Sequence, residues 1–461
     1  MQLNDILEIV QSVQTTIYEL LLFVWMTIQS VVTALGFDPL PKEVGFTAVK
    51  MAAVIGLIMN TVPLCILGER KFSAWMQDRQ GPNRAGPLGL LQPLSDAGKL
   101  IFKEDFMPAG VDKVIYCLAP AIAMVLALIG LAVIPFGRDL VIEAQVLNVP
   151  NFGAVEIAKQ IIPIQIAQIN IGILYILAVG SLGAYGVVLG GWASNSKYAF
   201  LGGLRAAAQM LSYEVPLALA ILCMVLLCGT LNMETMINQQ ILAGGGIFGW
   251  NIFTQPVTFV IFMICVFAET NRAPFDLAEC EQELVAGFHT EYGSMKFAMF
   301  FLGEYVHMII GGAFATIMFF GGWHLPFIPE PVPGFEFIWM LISVGVFYAK
   351  IWCFLFLYMW VRWTLPRFRY DQLMHLAWKG LVPVGLALLV FNSWVVYQFP
   401  MEVIDGQTVM RMSSRICQLI GNMTVIGLLV FAVFIRNPKI GSGNKPIPLE
   451  ELLRDKKQVQ N

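Results

Sequence analysis

An all-α polytopic membrane protein is the fold that the sequence predicts, on three observations. Hydrophobic residues make up 57% of the 461 and charged residues only 13%. Apolar runs of bilayer-spanning length recur along the whole chain, and the segments between them collect Gly, Pro and most of the charges. Crossing the hydrocarbon takes about 20 helical residues. Candidate spans fall near residues 17–36, 48–68, 114–136, 171–191, 213–231, 253–270, 299–322, 337–361, 379–398 and 417–435, about ten spans in all. Glu19 and Gln29 interrupt the first, and Asn422 the last.

The opening MQLNDILEIV has no positive region and carries Asp5 and Glu8, so the first span is expected to stay attached rather than be cleaved as a secretory signal. Orientation follows from the loops. Segments 69–113, 192–212, 268–298 and 362–379 hold Arg70, Lys71, Arg79, Arg84, Lys99, Lys197, Arg272 and Arg367, whereas the alternate set has only Lys42, Lys50, Arg138, Lys159, Arg411 and Arg415. By the positive-inside rule the first set faces the cytoplasm, or the matrix in a mitochondrion. With an even number of spans both termini lie on that side, and the long, motif-rich loops put function there too. The tail 437–461 is polar, with Gly and Pro near its start, and reads as a flexible or interfacial segment.

Several chemistries fail on spacing. The eight cysteines stand singly without a C-x-x-C pair, which argues for buried small side chains rather than clusters or redox sites. GGGIFG at 244–249 satisfies a dinucleotide pattern, but no strand precedes it and it lies between spans. No Walker A or H-E-x-x-H sequence occurs, and His289, His307, His324 and His375 are dispersed.

The informative charges are those the bilayer makes expensive. Glu214 opens an apolar run, Glu304 lies in FLGEYVHMII and Lys350 in GVFYAKIWCF. A charge at the bilayer centre costs about 2.5 kcal/mol or more unless it pairs, neutralises or meets water. Ordinary interface anchoring accounts for Glu69, Arg70 and Lys71 after the second span, and an amphipathic surface helix for the stretch around Leu90–Phe102. The segment AETNRAPFDLAECEQELVAGFHTEY, residues 268–292, gathers Glu269, Asp276, Glu279, Glu281, Glu283 and Glu291 around one arginine, Arg272. Pro274 suits a first helical turn, and Asp276 with Glu279 fits a capping box, which accounts for two of the carboxylates. Asp276, Glu279 and Glu283 would then share one helical face, and crowded carboxylates are suited to taking up and releasing protons.

ERK at 69–71, GPNR at 81–84, LLQPLSDAGKL, FKED, GWASNSKYA, RAAAQMLSYE, the 268–292 segment, GEY at 303–305 and PRFRYDQLMHLAWK at 366–379 occur in one order. In these the chain resembles the quinone-site membrane subunit of respiratory complex I, the H-type chain of NADH-quinone oxidoreductase, also called NADH dehydrogenase subunit 1. The resemblance covers roughly residues 48–398 and implies an eight-helix core, the second to ninth spans, forming the heel of the membrane arm. Residues 1–47 and 399–461 would be extensions, each with an extra transmembrane helix. It further implies a translocase subunit of the bacterial inner membrane that takes part in NADH:quinone reduction with no complete active site of its own. Quinone would be the substrate of a shared chamber, while NADH, FMN and iron-sulfur clusters would be bound by partner subunits only. Those partners would include the hydrophilic-arm subunits with the terminal cluster and the small membrane subunits beside the proton path; no nucleic acid is implied.

By the same resemblance Arg70, Arg79, Arg84, Arg272, Asp276 and Glu279 would line or brace the quinone passage. Glu214, Glu269, Glu281, Glu283 and Glu304 would belong to the carboxylate path toward the pumping subunits. The chain departs from the family's pattern in its two extensions, in a longer outer loop from Phe136 to Asn170, and in Gln168, where the family often has aspartate. A membrane-hydrogenase subunit would share the fold and the carboxylate path without requiring quinone, and an ion channel or transporter would share only the intramembrane charges. The complete GPNR, LLQPLSDAGKL and RFRYDQLM segments favour the quinone enzyme.

Overall fold

The second to ninth predicted spans all form helices in the computed structural model. It describes residues 42–142, 145–149, 153–157, 160–243, 246–278, 284–325, 336–399, 402–404 and 407–436, with Thr16 and Thr27. In chain order the helices are α1 (Lys42–Met76), α2 (Gln92–Phe102), α3 (Lys113–Gly130), α4 (Gly172–Ala193), α5 (Lys197–Cys228), α6 (Met233–Leu242) and α7 (Pro256–Glu269). Then follow α8 (Ser294–Phe319), α9 (Glu336–Thr364), α10 (Tyr370–Gln398) and α11 (Met412–Arg436). Seven among the described residues are long and apolar enough to cross a membrane, and α7 is a shorter apolar helix of 14 residues. The first predicted span and the tail lie outside the described residues, apart from Thr16 and Thr27, while the tenth predicted span falls within α11.

Two helices outrun their hydropathy. α1 continues eight residues past the predicted end at 68, because Glu69, Ser73 and Ala74 stay buried against the rest of the protein. Its 35 residues rise roughly 50 Å at 1.5 Å each, well beyond the hydrocarbon. The predicted loop 192–212 shrinks to a turn at Ser194–Ser196, with Asn195 at φ 47°, after which α5 runs unbroken from Lys197. Small residues carry α5 through this stretch. A Cβ on Gly202 would meet the backbone of Gly287 at 2.7 Å, so the helix there packs directly on the chain between α7 and α8. The predicted loop 362–379 likewise reduces to residues 365–369, and α10 starts at Tyr370 with a π-helical stretch at Leu376–Leu381.

The long outer loop holds structure that its hydropathy did not suggest. β1 (Leu140–Ile142) pairs antiparallel with β4 (Gln160–Ile162), and between them β2 (Gln145–Val149) pairs with β3 (Gly153–Ile157), in registers Leu140↔Ile162 and Gln145↔Ile157. A third hairpin, β5 (Glu402–Ile404) with β6 (Gln407–Val409), leads into α11. Gln168 stands beyond the first ribbon and is exposed.

Burial separates centre from rim. In α5 and α8, 56% and 61% of the most apolar window is buried, against 28–33% in the other long apolar helices, so these two form the middle of the bundle. The core joins Tyr213, Met224, Phe262, Phe314, Phe319, Phe347 and Ile351. Exposed apolar side chains such as Val114, Leu118, Leu341 and Val390 lie on the rim helices, where lipid would meet them.

Candidate functional site

α7 ends at Glu269, and the chain then turns through Asn271, at φ 49°, into an irregular segment. Its position is set from α5. The buried Gln209 Nε2 lies 2.8 Å from Ala268 O, 3.2 Å from Asn271 Oδ1 and 2.8 Å from Phe275 O, so one amide holds both ends of the turn. Residues 270–278 contain no helix, so the helical first turn expected at Pro274 is not formed. The Asp276 carboxylate is held instead by Arg367, from the connector before α10, with Nη2 to Oδ2 at 2.9 Å. Phe368 N donates to Pro274 O at 3.2 Å and fastens the same connector to the segment. A charge-assisted bond and this backbone contact thus tie the segment to the connector before α10. Glu279, Glu281 and Glu283 lie outside the described residues.

This path delivers Arg272 into the protein, where its side chain is only 8% exposed. Nη1 stands 3.6 Å from Glu69 Oε1 and Nη2 3.8 Å from Glu304 Oε2, so the guanidinium bridges carboxylates from α1 and α8. Its Cζ lies 4.4 Å from the centre of the Tyr305 ring, close enough for a cation–π contact. Tyr305 OH donates to Glu69 Oε2 at 2.5 Å, and Arg362, in the last turn of α9, donates to Glu69 Oε1. Two cations and two carboxylates thus balance within one group, which offsets the desolvation cost of each ion.

Glu304 also lines a cavity with Glu269, Thr270, Asn271, His307, Gly180 and Gly183. A second cavity shares Glu269, Thr270, His307 and Gly180 and continues between Phe262, Leu217, Ile310 and Phe314. Glu214 on α5 accepts from Ser181 Oγ on α4 and lies near enough to Glu269 for their charges to interact. Glu69, Arg272, Glu304, Glu269 and Glu214 therefore form a polar succession from the segment after α7 into the bundle, and the cavity that Glu269 and Glu304 border has room for water. Such a chain of titratable groups can relay protons, because each change of charge alters the proton affinity of the next.

The other predicted residues stand at the rim. Arg70 is half-exposed, with Nη1 at 2.5 Å from Asp96 Oδ2 on α2. Burial pushes the Asp96 carboxyl up, but hydrogen bonds from Arg70, Gln92 and Lys99 and the Arg70 charge outweigh it and hold the group below the usual carboxylate range. Arg79 is exposed, with Nε on Gln77 Oε1 at 2.7 Å, and Arg84 is exposed beside it. Lys350 has a local role: its ammonium donates to the carbonyls of Phe320, Gly322 and His324 at 2.7–2.8 Å, where the chain leaves α8. Among the described residues no three of His, Cys, Asp and Glu converge as a metal ion would require.

Sequence reasoning missed Glu69, read as an interface anchor, and gave no role to Gln209, Tyr305, His307 or Arg362. Glu69 offered one signal: it follows the buried Cys65 by one helical turn.

A family model described as NADH dehydrogenase matches residues 49–393. The chain is similar to the first H-type chain of the NADH-quinone oxidoreductase of Geobacter metallireducens, with 45% identity over 357 residues, 77% of this chain and 98% of that protein. It is 46% identical over 347 residues to the H-type chain of the NADH-quinone oxidoreductase of Leptospira biflexa, covering 75% of this chain and 93% of the relative. The subunit 8 of the Rhodothermus marinus NADH-quinone oxidoreductase is 44% identical over 350 residues, 75% of this chain and 95% of that protein.

Proposed function

The chain belongs to the NADH dehydrogenase family as a membrane subunit of an NADH-quinone oxidoreductase, and from that premise we propose that it forms one wall of the quinone chamber and the start of the coupled proton path. The observation that carries this reading is the ionic group of Glu69, Arg272, Glu304 and Arg362, formed where the segment 270–278 enters the bundle, with Glu304 also lining the cavity of Glu269. Arg272 and Asp276 belong to the wall that faces the headgroup, with Arg70, Arg79 and Arg84 on the facing segment. By the resemblance Glu279 belongs with that wall and Glu281 and Glu283 with the proton path; all three lie outside the described residues.

Reducing a quinone to a quinol consumes two electrons and two protons. The electrons come from an iron-sulfur cluster in a hydrophilic-arm subunit, and NADH, FMN and the clusters are held by partners. The proton demand falls on the side where Glu69 and Glu304 share Arg272. Protonating one of them frees the guanidinium to favour the other, so a charge change at the chamber is passed to Glu304, Glu269 and Glu214 in turn. The small membrane subunits adjoining that path receive it. The subunit lies in a bacterial inner membrane with its inner loops, and both termini, on the cytoplasmic side.

Replacing Glu269 or Glu304 by Gln keeps size and hydrogen bonding but removes the titration. Quinone reductase activity and proton pumping should fall together, by about tenfold or more, with normal amounts of assembled complex on a native gel. Unchanged activity in both variants would sink the path. A photoreactive quinone analogue should label peptides within 69–105 or 268–292, and labelling elsewhere would remove the chamber wall from this chain.

A further inference from the structure

We propose that His307 is a relay residue of the proton path, passing protons between Glu269 and Glu304; this rests on the function proposed above. Two cavities border Glu269, and each also borders His307. The first contains Glu304 as well, one helical turn before His307 on α8, so the carboxylate and the imidazole present themselves on the same face. The second is walled mainly by apolar residues such as Leu217, Phe262 and Phe314, and among the described residues its titratable lining is Glu269 and His307. His307 is thus the group at which the polar space of the inner side meets the apolar space of the mid-bundle.

The neighbouring helix keeps that junction open. α4 presents Gly180 and Gly183, where a Cβ would come to 3.0 Å from Glu269 Oε1 and 3.5 Å from His307 Nε2. Larger residues would fill the space on which both groups border. A space-filling role alone does not need an imidazole beside two carboxylates in a cavity with room for water. Imidazole suits a relay because it has two nitrogens, one that accepts a proton while the other releases one. In the step assigned here the O–H bond of protonated Glu269 breaks and an N–H bond forms on His307. The N–H on the other ring nitrogen then breaks, and the proton goes to the Glu304 carboxylate directly or through one water, so charge and protons balance.

The test uses the whole complex in inverted membrane vesicles. His307→Gln retains polarity and approximate size but cannot carry a proton. It should lower NADH:quinone turnover and vesicle acidification together by about tenfold or more, at unchanged complex content. Space filling alone predicts wild-type rates for this variant. Glu269→Gln is run in parallel. If His307→Gln is like wild type while Glu269→Gln is slow, the relay is overturned and the carboxylate path stands; if both are like wild type, the path itself fails. Should His307→Gln assemble poorly, the smaller His307→Asn reads the same two quantities without crowding Gly183.

Discussion

Glu69 meets Arg272, Tyr305 and Arg362, yet it was the least conspicuous carboxylate of the group in the sequence. It ends an apolar run with Arg70 and Lys71, where interface charges are ordinary, and nothing local announces Arg272, Tyr305 and Arg362, which lie 203, 236 and 293 positions further on. Glu214 and Glu304 were legible because the apolar runs that one opens and the other lies within left no bland alternative. Lys350 stood out for the same reason and proved to be a cap on three carbonyls, since periodicity shows that a charge is buried but not what satisfies it. Asp276 pairs with Arg367, remote in sequence, a partner that local spacing does not announce. Removing Glu69 leaves the buried Arg272 and the half-buried Arg362 without their shared anion. Glu69→Ala should therefore destabilise the folded chain by about 3–5 kcal/mol, read as a lower thermal midpoint of the solubilised complex. Adding Arg362→Met should recover part of the loss, because the second uncompensated cation goes with it.

At the scale of elements, hydropathy located the spans but not their ends. α1 and α5 continue where polarity rises because packing, rather than apolar character, holds those turns, and close contacts such as Gly202 on Gly287 are invisible to a sliding window. α11 is the converse case, a helix whose polar residues looked like blemishes. Asn422 Nδ2 lies 3.1 Å from Gln255 Oε1 and 3.2 Å from Thr254 O, Gln255 Nε2 donates to Asn392 at 2.9 Å, and Arg415 donates to Gly249 O at 2.8 Å. Arg415, Gln418 and Asn422 recur at helical spacing, and all three are buried, so this is the face by which α11 attaches to α7 and α10. A double-mutant cycle on Asn392→Ala and Asn422→Ala should show a coupling of about 1 kcal/mol in thermal stability. Strictly additive losses would mean that α11 is held by its apolar contacts alone.

For the whole molecule, the all-helical membrane fold was readable because solvent and lipid impose it on composition, run length and loop charge. The polar succession was not, since residues 69, 214, 269, 272, 304 and 362 meet only through the order in which the helices pack. The family motifs flagged Glu214, Glu269, Arg272 and Glu304, whereas the structure added the ties between them. Orientation can be checked on the same scale. A single cysteine placed at Asn83 should react with a membrane-impermeant maleimide only from the cytoplasmic side, and one at Ile161 only from the opposite side. Labelling of both from one side would invert the topology.

The Gln209 amide has a mechanical consequence. Its contacts to Ala268, Asn271 and Phe275 bolt both ends of the Arg272 turn to α5, and Glu214 is five residues along the same rigid helix. A displacement of the turn must either shear those bonds or drag α5 with it, so turn and carboxylate travel as one body. Motion of the turn is thereby delivered to a distant acid as displacement, in parallel with any change of charge.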